Sequence, residues 1–488
     1  MSYVFEGLKP EKLWKNFYDL NQIPRESKHE QKVADWIVEF GKKHNAEVVQ
    51  DSAGNVKITK AATKGYENAP KVCIQGHMDM VCEKNEGVDH DFRKDPINMK
   101  IEDGFVRASG TSLGADNGIG VAAGLTLIEA DDIVHPSLEF LFTVDEETGL
   151  TGAMELEEGF IESDILINCD SEEDGVFFIG CAGGQNTEIK LDLKKKETDQ
   201  GKAALSIQLK GLKGGHSGLD IDKGRANAII QLNRLLWNID ERYGLDLSTI
   251  KGGSAHNAIP REASSVIMVD SDDVDEIKKI AGDFADNMNT EYGKKEADVN
   301  ILVEKTETPD KVLDDETKFR ILNLIYGMPN GILAMSPDIE GLVQTSTNLA
   351  TVETKDETLE ILTSQRSSVS SQKDEMAEKV KAVGSLAGAN VEYQSGYPGW
   401  QPNPDSPILQ KMKKVYQDLY DVEPGQEAIH AGLETGLIGE KVPGIDMVSF
   451  GPTINNPHSP DEEVEIETVE RFWNVLKGTL ARLAKDNQ

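Results

Sequence analysis

A histidine and an aspartate, His77 and Asp79, follow the first strongly apolar run of the chain, "KVCIQ". Side chains at positions i and i+2 of an extended segment point the same way. Asp79 can therefore accept a hydrogen bond from one ring nitrogen of His77 while the other nitrogen binds a metal ion. The alternative is a strand end at which two polar residues meet water. A His-x-Asp pair alone is too short to choose between the two.

Three further apolar runs are also followed by acidic residues or histidine, and another aspartate opens the helix after the first run. In an open α/β sheet, functional groups collect beyond the carboxyl ends of the strands. Four strands that end in this way predict one shared site rather than scattered surface polarity. The candidates are Asp145, Glu146 and Glu147 after "LEFLFTV", Asp170, Glu172 and Glu173 after "DILIN", His458 beyond "DMVSF", and Asp116 in "DNGIGVAAGLTLIEA".

These residue types suit a pair of borderline metal ions such as Zn²⁺, which binds imidazole nitrogen and carboxylate oxygen. A two-metal site, with its ions about 3.5–4 Å apart, needs a bridging carboxylate, terminal ligands on each ion and room for water. The neighbouring side chains of Glu146 and Glu147 diverge, so we do not expect both on the same ion. One can be a ligand while the other faces the attacking water as general base.

Six motifs occur in order along nearly the whole chain: "GHMDMV", "GTSLGADNGIGVA", "VDEETGLTGA", "NCDSEE", "LKGGHSG" and "NNPHSPDE". They resemble the motifs of the co-catalytic zinc peptidases, the family that includes the aminoacylases, carboxypeptidase G and the carnosinases. The resemblance implies an α/β catalytic domain, with a mixed sheet covered by helices, and an inserted α+β lid domain. It also implies hydrolysis of dipeptides, preferably those ending in histidine, by water that two Zn²⁺ ions per chain activate. Co²⁺ and Mn²⁺ are alternative ions.

The same resemblance implies a role for individual residues. Asp116 would be the carboxylate that bridges the two ions, and its peptide bond to Asn117 is expected to be cis. Glu146 would be the general base, and Asp79 would support His77. The implied metal ligands are His77, Asp116, Glu147, Asp170 and His458, and the implied substrate-binding residues are His216, Asn257, Arg366 and His430. For the last two, a strand-surface arginine and a structural loop histidine are the competing interpretations.

The pattern of strands and helices changes near residue 186 and returns to its first style near residue 400. We therefore predict a two-metal catalytic domain at 1–185 and 400–488, and an inserted lid or dimerisation-like domain at 186–399. A homodimer is a further expectation, and whether His216 acts within its own chain or across a dimer stays open.

The composition excludes several partners. A formal charge of −35 argues against nucleic acids and anionic membranes, because phosphate contacts need clustered Lys and Arg. The four cysteines form no C-x-x-C pair, which disfavours a zinc knuckle and favours reduced thiols in the cytoplasm. The amino-terminal segment has no apolar core typical of a signal peptide, and no run approaches the roughly 18 apolar residues of a membrane span.

Two other functions compete with a dipeptidase. A deacylase or aminopeptidase on the same scaffold would cleave N-acyl amino acids or longer peptides. A metal-dependent binding protein without turnover would keep the ligands but would not need Glu146 as a base.

Overall fold

The computed structural model describes residues 3–296 and 298–486, and it divides into two compact units. The first comprises residues up to Cys181, Trp400–Ala428 and residues from Leu433 onward, and the second comprises Ala182–Gly399 and Ile429–Gly432. The helices are α1 (Glu11–Leu20), α2 (Gln31–Lys43), α3 (Ala115–Glu129), α4 (Glu146–Gly149), α5 (Thr151–Met154), α6 (Ala228–Tyr243), α7 (Val274–Tyr292), α8 (Asp315–Gly327), α9 (Ser370–Leu386), α10 (Pro407–Tyr420), α11 (Glu434–Lys441) and α12 (Ile466–Lys485).

The strands are β1 (Glu47–Gln50), β2 (Val56–Lys60), β3 (Val72–His77), β4 (Met99–Glu102), β5 (Phe105–Ala108), β6 (Leu138–Thr143), β7 (Ile165–Asn168), β8 (Val176–Cys181), β9 (Gly183–Asp192), β10 (Lys195–Glu197), β11 (Ala203–Lys210), β12 (Gly215–His216), β13 (Asp246–Gly252), β14 (Ala258–Ile259), β15 (Ala263–Val269), β16 (Asn300–Lys305), β17 (Lys311–Leu313), β18 (Gly331–Met335), β19 (Val343–Thr354), β20 (Thr358–Ser367), β21 (Asn390–Tyr393), β22 (Gly425–Ile429), β23 (Asp446–Ser449), β24 (Ile454–Asn455) and β25 (Glu463–Glu465).

The main sheet of the first unit is mixed, with strand order β1-β2-β6-β3-β7-β23-β8-β22. Its middle strands β6, β3, β7 and β23 run parallel, and every residue of β3, β6 and β7 is buried. Continuous apolar runs favour this arrangement because a parallel sheet is covered on both faces. The predicted fold, a mixed sheet covered by helices with a second α+β region, is confirmed.

The register of the parallel strands brings their carboxyl ends together. His77 lies opposite Thr143, and Asn168 lies opposite both Gln75 and Ser449. The four runs that the sequence singled out therefore end at the same edge of the sheet. A small four-stranded sheet, β24-β25-β5-β4, completes the strand structure around this unit.

Helix α3 is apolar on all sides, and its residues from Ala115 to Ile128 are buried. A helix of this kind belongs inside a protein rather than on its surface. The helix packs closely against its surroundings because Gly76, in β3, and Gly120, in α3 itself, have no side chain. A Cβ atom on Gly76 would lie 2.2 Å from the Asn117 Oδ1 atom, and one on Gly120 would lie 2.4 Å from the same atom.

The second unit has its own apolar core beneath a sheet of strand order β16-β11-β15-β13-β19-β20-β9-β21, with β18 beside β19. The predicted amphipathic helix of this region is α6. Its positions Ile229, Leu232, Leu236 and Ile239 are all fully buried, as their spacing predicted. The helix begins at Ala228, because the Asn227 side chain accepts hydrogen bonds from the next free backbone N–H groups.

The cysteines form no disulfide, and three of the four are buried. Within the described residues, every helix is too short or too polar to cross a bilayer.

Candidate active site

Five of the sequence-predicted ligands lie together in the first unit, in two groups that share Asp116. In the first group the His77 Nε2 atom lies 3.0 Å from the Asp116 Oδ1 atom and 3.2 Å from the Asp170 Oδ1 atom. In the second group the His458 Nε2 atom lies 3.0 Å from the Asp116 Oδ2 atom and 3.0 Å from the Glu147 Oε2 atom. Each oxygen of the Asp116 carboxylate thus faces a different group.

Asp116 lies at the start of α3, where the chain does not yet have helical dihedral angles. Its peptide bond to Asn117 is cis, as the resemblance implied. The Asn117 side chain donates a hydrogen bond of 2.7 Å to the Cys169 carbonyl oxygen, directly before Asp170. The start of α3 is therefore connected to the end of β7.

Asp79 is fully buried behind His77, with its Oδ1 atom 3.3 Å from the His77 Nδ1 atom. The Asp79 carboxylate also accepts hydrogen bonds from the Ser27 hydroxyl and from the backbone N–H groups of Glu146 and Glu147. It lies where a carboxylate can fix the tautomer and orientation of a ligating histidine. It also holds the two adjacent glutamates at the end of β6.

The two adjacent glutamates, Glu146 and Glu147, have different contacts. The Glu147 carboxylate lies 3.0 Å from the His458 Nε2 atom. A carboxylate oxygen of Glu146 lies within 4.8 Å of ligand atoms of both His77 and Glu147, so these three residues form a further candidate metal group. Removal from water, together with the nearby carboxylates of Asp170 and Glu147, raises the pKa of Glu146 well above its usual range.

The donor set fits divalent cations. Imidazole nitrogens and carboxylate oxygens are the ligands that zinc prefers. The Oε1 atom of Glu147 is buried and accepts no hydrogen bond from the described residues. The three carboxylates of these two groups, Asp116, Glu147 and Asp170, repel one another unless a cation lies among them. We conclude that these two groups are candidate metal-ligand groups.

A buried chain of polar side chains runs across the parallel strands below the ligands. The Glu434 Oε2 atom accepts hydrogen bonds from Gln75 (2.6 Å) and from Thr143 (2.8 Å). Gln75 in turn accepts one from Asn168, which accepts one from the Ser449 hydroxyl. Burial, followed by the charge of the Asp170 carboxylate, raises the pKa of Glu434 to about 7.

The predicted substrate-binding residues all lie in the second unit. His216 and Asn257 are brought together by the β12–β14 pairing and by the hydrogen bond from Ser217 N–H to the Asn257 carbonyl oxygen. Arg366 pairs with Ser346 across β19 and β20. The Ser346 hydroxyl lies 2.7 Å from the Nε2 atom of His430.

His216 has a defined tautomer. Its Nδ1 atom accepts hydrogen bonds from the N–H groups of Leu219 (3.0 Å) and Gly218 (3.3 Å), so the proton of the neutral ring is on Nε2. Burial, and then the charge of Arg366, lower the pKa of His216 to about 4. The ring is therefore neutral at physiological pH and can donate a hydrogen bond from Nε2.

Sequence reasoning missed two buried charged residues beside the ligands. Arg25 and Glu462 are 1% and 2% exposed, and each bonds to backbone atoms next to a ligand. Glu172, which was a candidate, lies near Asp116 and Asp170, and burial raises its pKa to about 8. Arg25 and Glu462 form hydrogen bonds with backbone groups of distant segments. The spacing of residues along the sequence gives no sign of such bonds.

The chain belongs to the family described as Peptidase family M20/M25/M40, whose pattern matches residues 73–482. This confirms the predicted family resemblance and the assignment as a hydrolase. The chain is 40% identical over 476 residues to "Cytosol non-specific dipeptidase" of Escherichia coli, a match that covers 98% of each protein. It is also 40% identical to the crystal structure of aminoacylhistidine dipeptidase from Vibrio alginolyticus, with a TM-score of 0.91 over 98% of this chain and 97% of that one.

A more distant structure, the aminopeptidase PepT from Bacillus cereus, has 17% identity and a TM-score of 0.57, and covers 98% of this chain and 100% of that one. This likeness shows the fold alone.

Proposed function

We propose that this protein is a dipeptidase that uses two divalent metal ions, preferably Zn²⁺, and that cleaves dipeptides including those with a carboxyl-terminal histidine. The observation that carries the proposal is the Asp116 carboxylate, whose two oxygens face two separate groups of His and carboxylate ligands. The two relatives at 40% identity are both named as dipeptidases, and one name specifies histidine.

Each ligand would have a defined place. His77 and Asp170 would hold one ion, Glu147 and His458 would hold the other, and Asp116 would bridge them. The ions, when bound, polarise the peptide carbonyl and favour ionisation of water. Asp79 keeps His77 in the tautomer that binds metal.

The reaction itself is carried by the chain's own groups. Glu146 accepts a proton from the attacking water and later gives it to the leaving amine. The Nε2–H group of His216 donates a hydrogen bond to the oxyanion that forms at the carbonyl. Arg366 binds the substrate carboxylate, since a guanidinium pairs with a carboxylate bidentately. Asn257 and His430 complete the substrate contacts, and residues 186–399 act as the lid or dimerisation domain.

The test is a panel of substrates assayed with and without chelator. β-Alanyl-histidine, glycyl-histidine and dipeptides without histidine are compared with an N-acyl amino acid and a tripeptide. We expect dipeptides to be hydrolysed, activity to be lost on chelation, and Zn²⁺ to restore it. Faster cleavage of the N-acyl compound or tripeptide would instead identify a deacylase or aminopeptidase, and failure on every compound would identify a binding protein.

Location and assembly belong to the same proposal. A relative named as a cytosol enzyme and cysteines without disulfides support the cytoplasm. A homodimer stays a prediction, which the mass of the purified full chain in solution tests.

A further inference from the structure

Arg25 connects two of the segments that carry ligands. Its guanidinium is almost completely buried and donates hydrogen bonds to the carbonyl oxygens of Met78 (3.1 Å) and Asp79 (2.9 Å), just after His77. The same guanidinium donates to the Gly114 carbonyl oxygen, two residues before Asp116. One rigid cation thus spans the end of β3 and the start of α3.

Glu462 connects a third segment to the same place. Its carboxylate accepts hydrogen bonds from four consecutive backbone N–H groups at the start of α3, with distances of 2.7, 2.9, 2.7 and 3.3 Å. The last of these donors is the N–H group of Asp116. Glu462 follows His458 by four residues, so it fastens the His458 loop to the segment that carries the bridging carboxylate.

The region between Arg25 and α3 has no space for another side chain. A Cβ atom on Gly114 would lie 2.3 Å from the Arg25 Nη2 atom and 2.8 Å from the Met80 Sδ atom, and the φ angle of Gly114 is +69°. Burying a guanidinium and a carboxylate is expensive, and well-packed apolar residues often stabilise a fold equally well. These two charged groups also fix the geometry of the ligand segments, because both form hydrogen bonds with backbone atoms that flank ligands.

We propose that Arg25 and Glu462 are positioning residues that hold the His77, Asp116 and His458 segments in register so that both metal groups form together. The inference rests on the proposed function. Because Asp116 belongs to both groups, a shift at the start of α3 disturbs both ions at once. Supporting residues around metal ligands are typically worth 10–100-fold in metal affinity.

The experiment is calorimetric titration of Co²⁺ into the metal-free full chain, followed by the visible absorption spectrum of the cobalt protein. Glu462→Gln keeps the shape but presents N–H groups to the backbone donors, and Arg25→Lys removes the planar fork. We expect each variant to bind both ions about 10–100-fold more weakly and to show altered cobalt bands. Glu296→Gln is the matched control, because Glu296 is a fully buried carboxylate that accepts backbone N–H groups of Lys213 and Ala226 in the second unit.

A purely structural role would lower the melting temperature of the metal-free variants as Glu296→Gln does, yet leave cobalt affinity and spectrum unchanged. That result overturns the inference. Circular dichroism first establishes that each variant is folded, and Arg25→Lys decides the question if Glu462→Gln does not fold. If the unaltered protein itself binds no cobalt, the proposed function fails, which is a different outcome from unchanged binding in the variants.

Discussion

At the scale of single residues, the site contains more carboxylates than two ions require as ligands. Asp79 and Glu146 also lie next to the proposed ligands: Asp79 contacts the His77 ring, and Glu146 lies within 4.8 Å of His77 and Glu147. Glu434 lies deeper, against Gln75 and Thr143. The proposed division of these acids into ligands, a base and supports rests on what each one contacts.

Glu146→Gln tests the general base directly. The amide cannot accept the proton of the attacking water, so we expect kcat to fall by about 10²–10⁴. Glu147 and His458 are untouched, so metal content measured by atomic emission should stay at its normal value. The exposed Glu155, changed to Gln, is the control and should keep full activity. Substantial residual turnover in Glu146→Gln would contradict the assigned role.

Glu434 predicts a pH dependence of stability in the metal-free protein. Its pKa in the folded chain is about 7, against 4.5 for the unperturbed group, so the folded state holds a proton that the unfolded chain releases. The stabilisation that this bound proton gives the folded state is fully present below pH 4.5 and is lost as the pH rises to about 7. The free energy of unfolding falls by about 3 kcal/mol over this range. The free energy of unfolding of Glu434→Gln, measured with urea, should therefore fall less steeply between pH 4.5 and about 7 than that of the unaltered protein. Equal slopes in the two proteins would contradict the prediction.

At the scale of elements, the parallel strands could be predicted because each has two independent signals, an apolar run and a chemically active residue behind it. His77 after β3 and Asp170 after β7 are examples. Glu434 and Ser449 were not recognised as parts of a polar chain, because their partners are hundreds of residues away or on neighbouring strands. The start of α6 was also not predictable from apolar spacing, since the Asn227 cap decides it.

The packing of α3 predicts a contrast between two glycines. A Cβ atom on Gly120 would lie 2.4 Å from the Asn117 Oδ1 atom and 2.8 Å from the Cys169 carbonyl oxygen. We expect Gly120→Ala to lower the free energy of unfolding by about 1–3 kcal/mol and to weaken metal binding, because both neighbours adjoin ligands. Gly282 in α7 has nothing within 4 Å, so Gly282→Ala should raise stability by up to about 1 kcal/mol. Thermal and denaturant unfolding measure the stability of both variants. An unchanged free energy of unfolding in Gly120→Ala would contradict the close packing of α3.

At the scale of the whole molecule, all candidate metal ligands belong to the first unit, while the second has an apolar core of its own. A ligand stabilises the structure that binds it. The effect of metal on stability should therefore differ between the two units.

Hydrogen exchange measured by mass spectrometry tests this difference. On chelation we expect faster exchange in peptides covering the ends of β3, β6 and β7, and unchanged exchange in α6 and β15 of the second unit. Restoring Zn²⁺ should restore protection, and Mg²⁺, which prefers oxygen ligands, is the control ion. A uniform loss of protection in both units would show that metal stabilises the chain as a whole.

The second unit takes four residues, Ile429–Gly432, from a stretch whose neighbours on both sides belong to the first unit. This short segment contains His430, which contacts Ser346. The second unit is therefore not encoded by one continuous stretch of the gene, so it cannot be deleted or transplanted as a single piece. Deleting residues 182–399 would leave His430 behind, and expressing them alone would omit it. An exchange of this unit between relatives would have to transfer two separate stretches of the gene together.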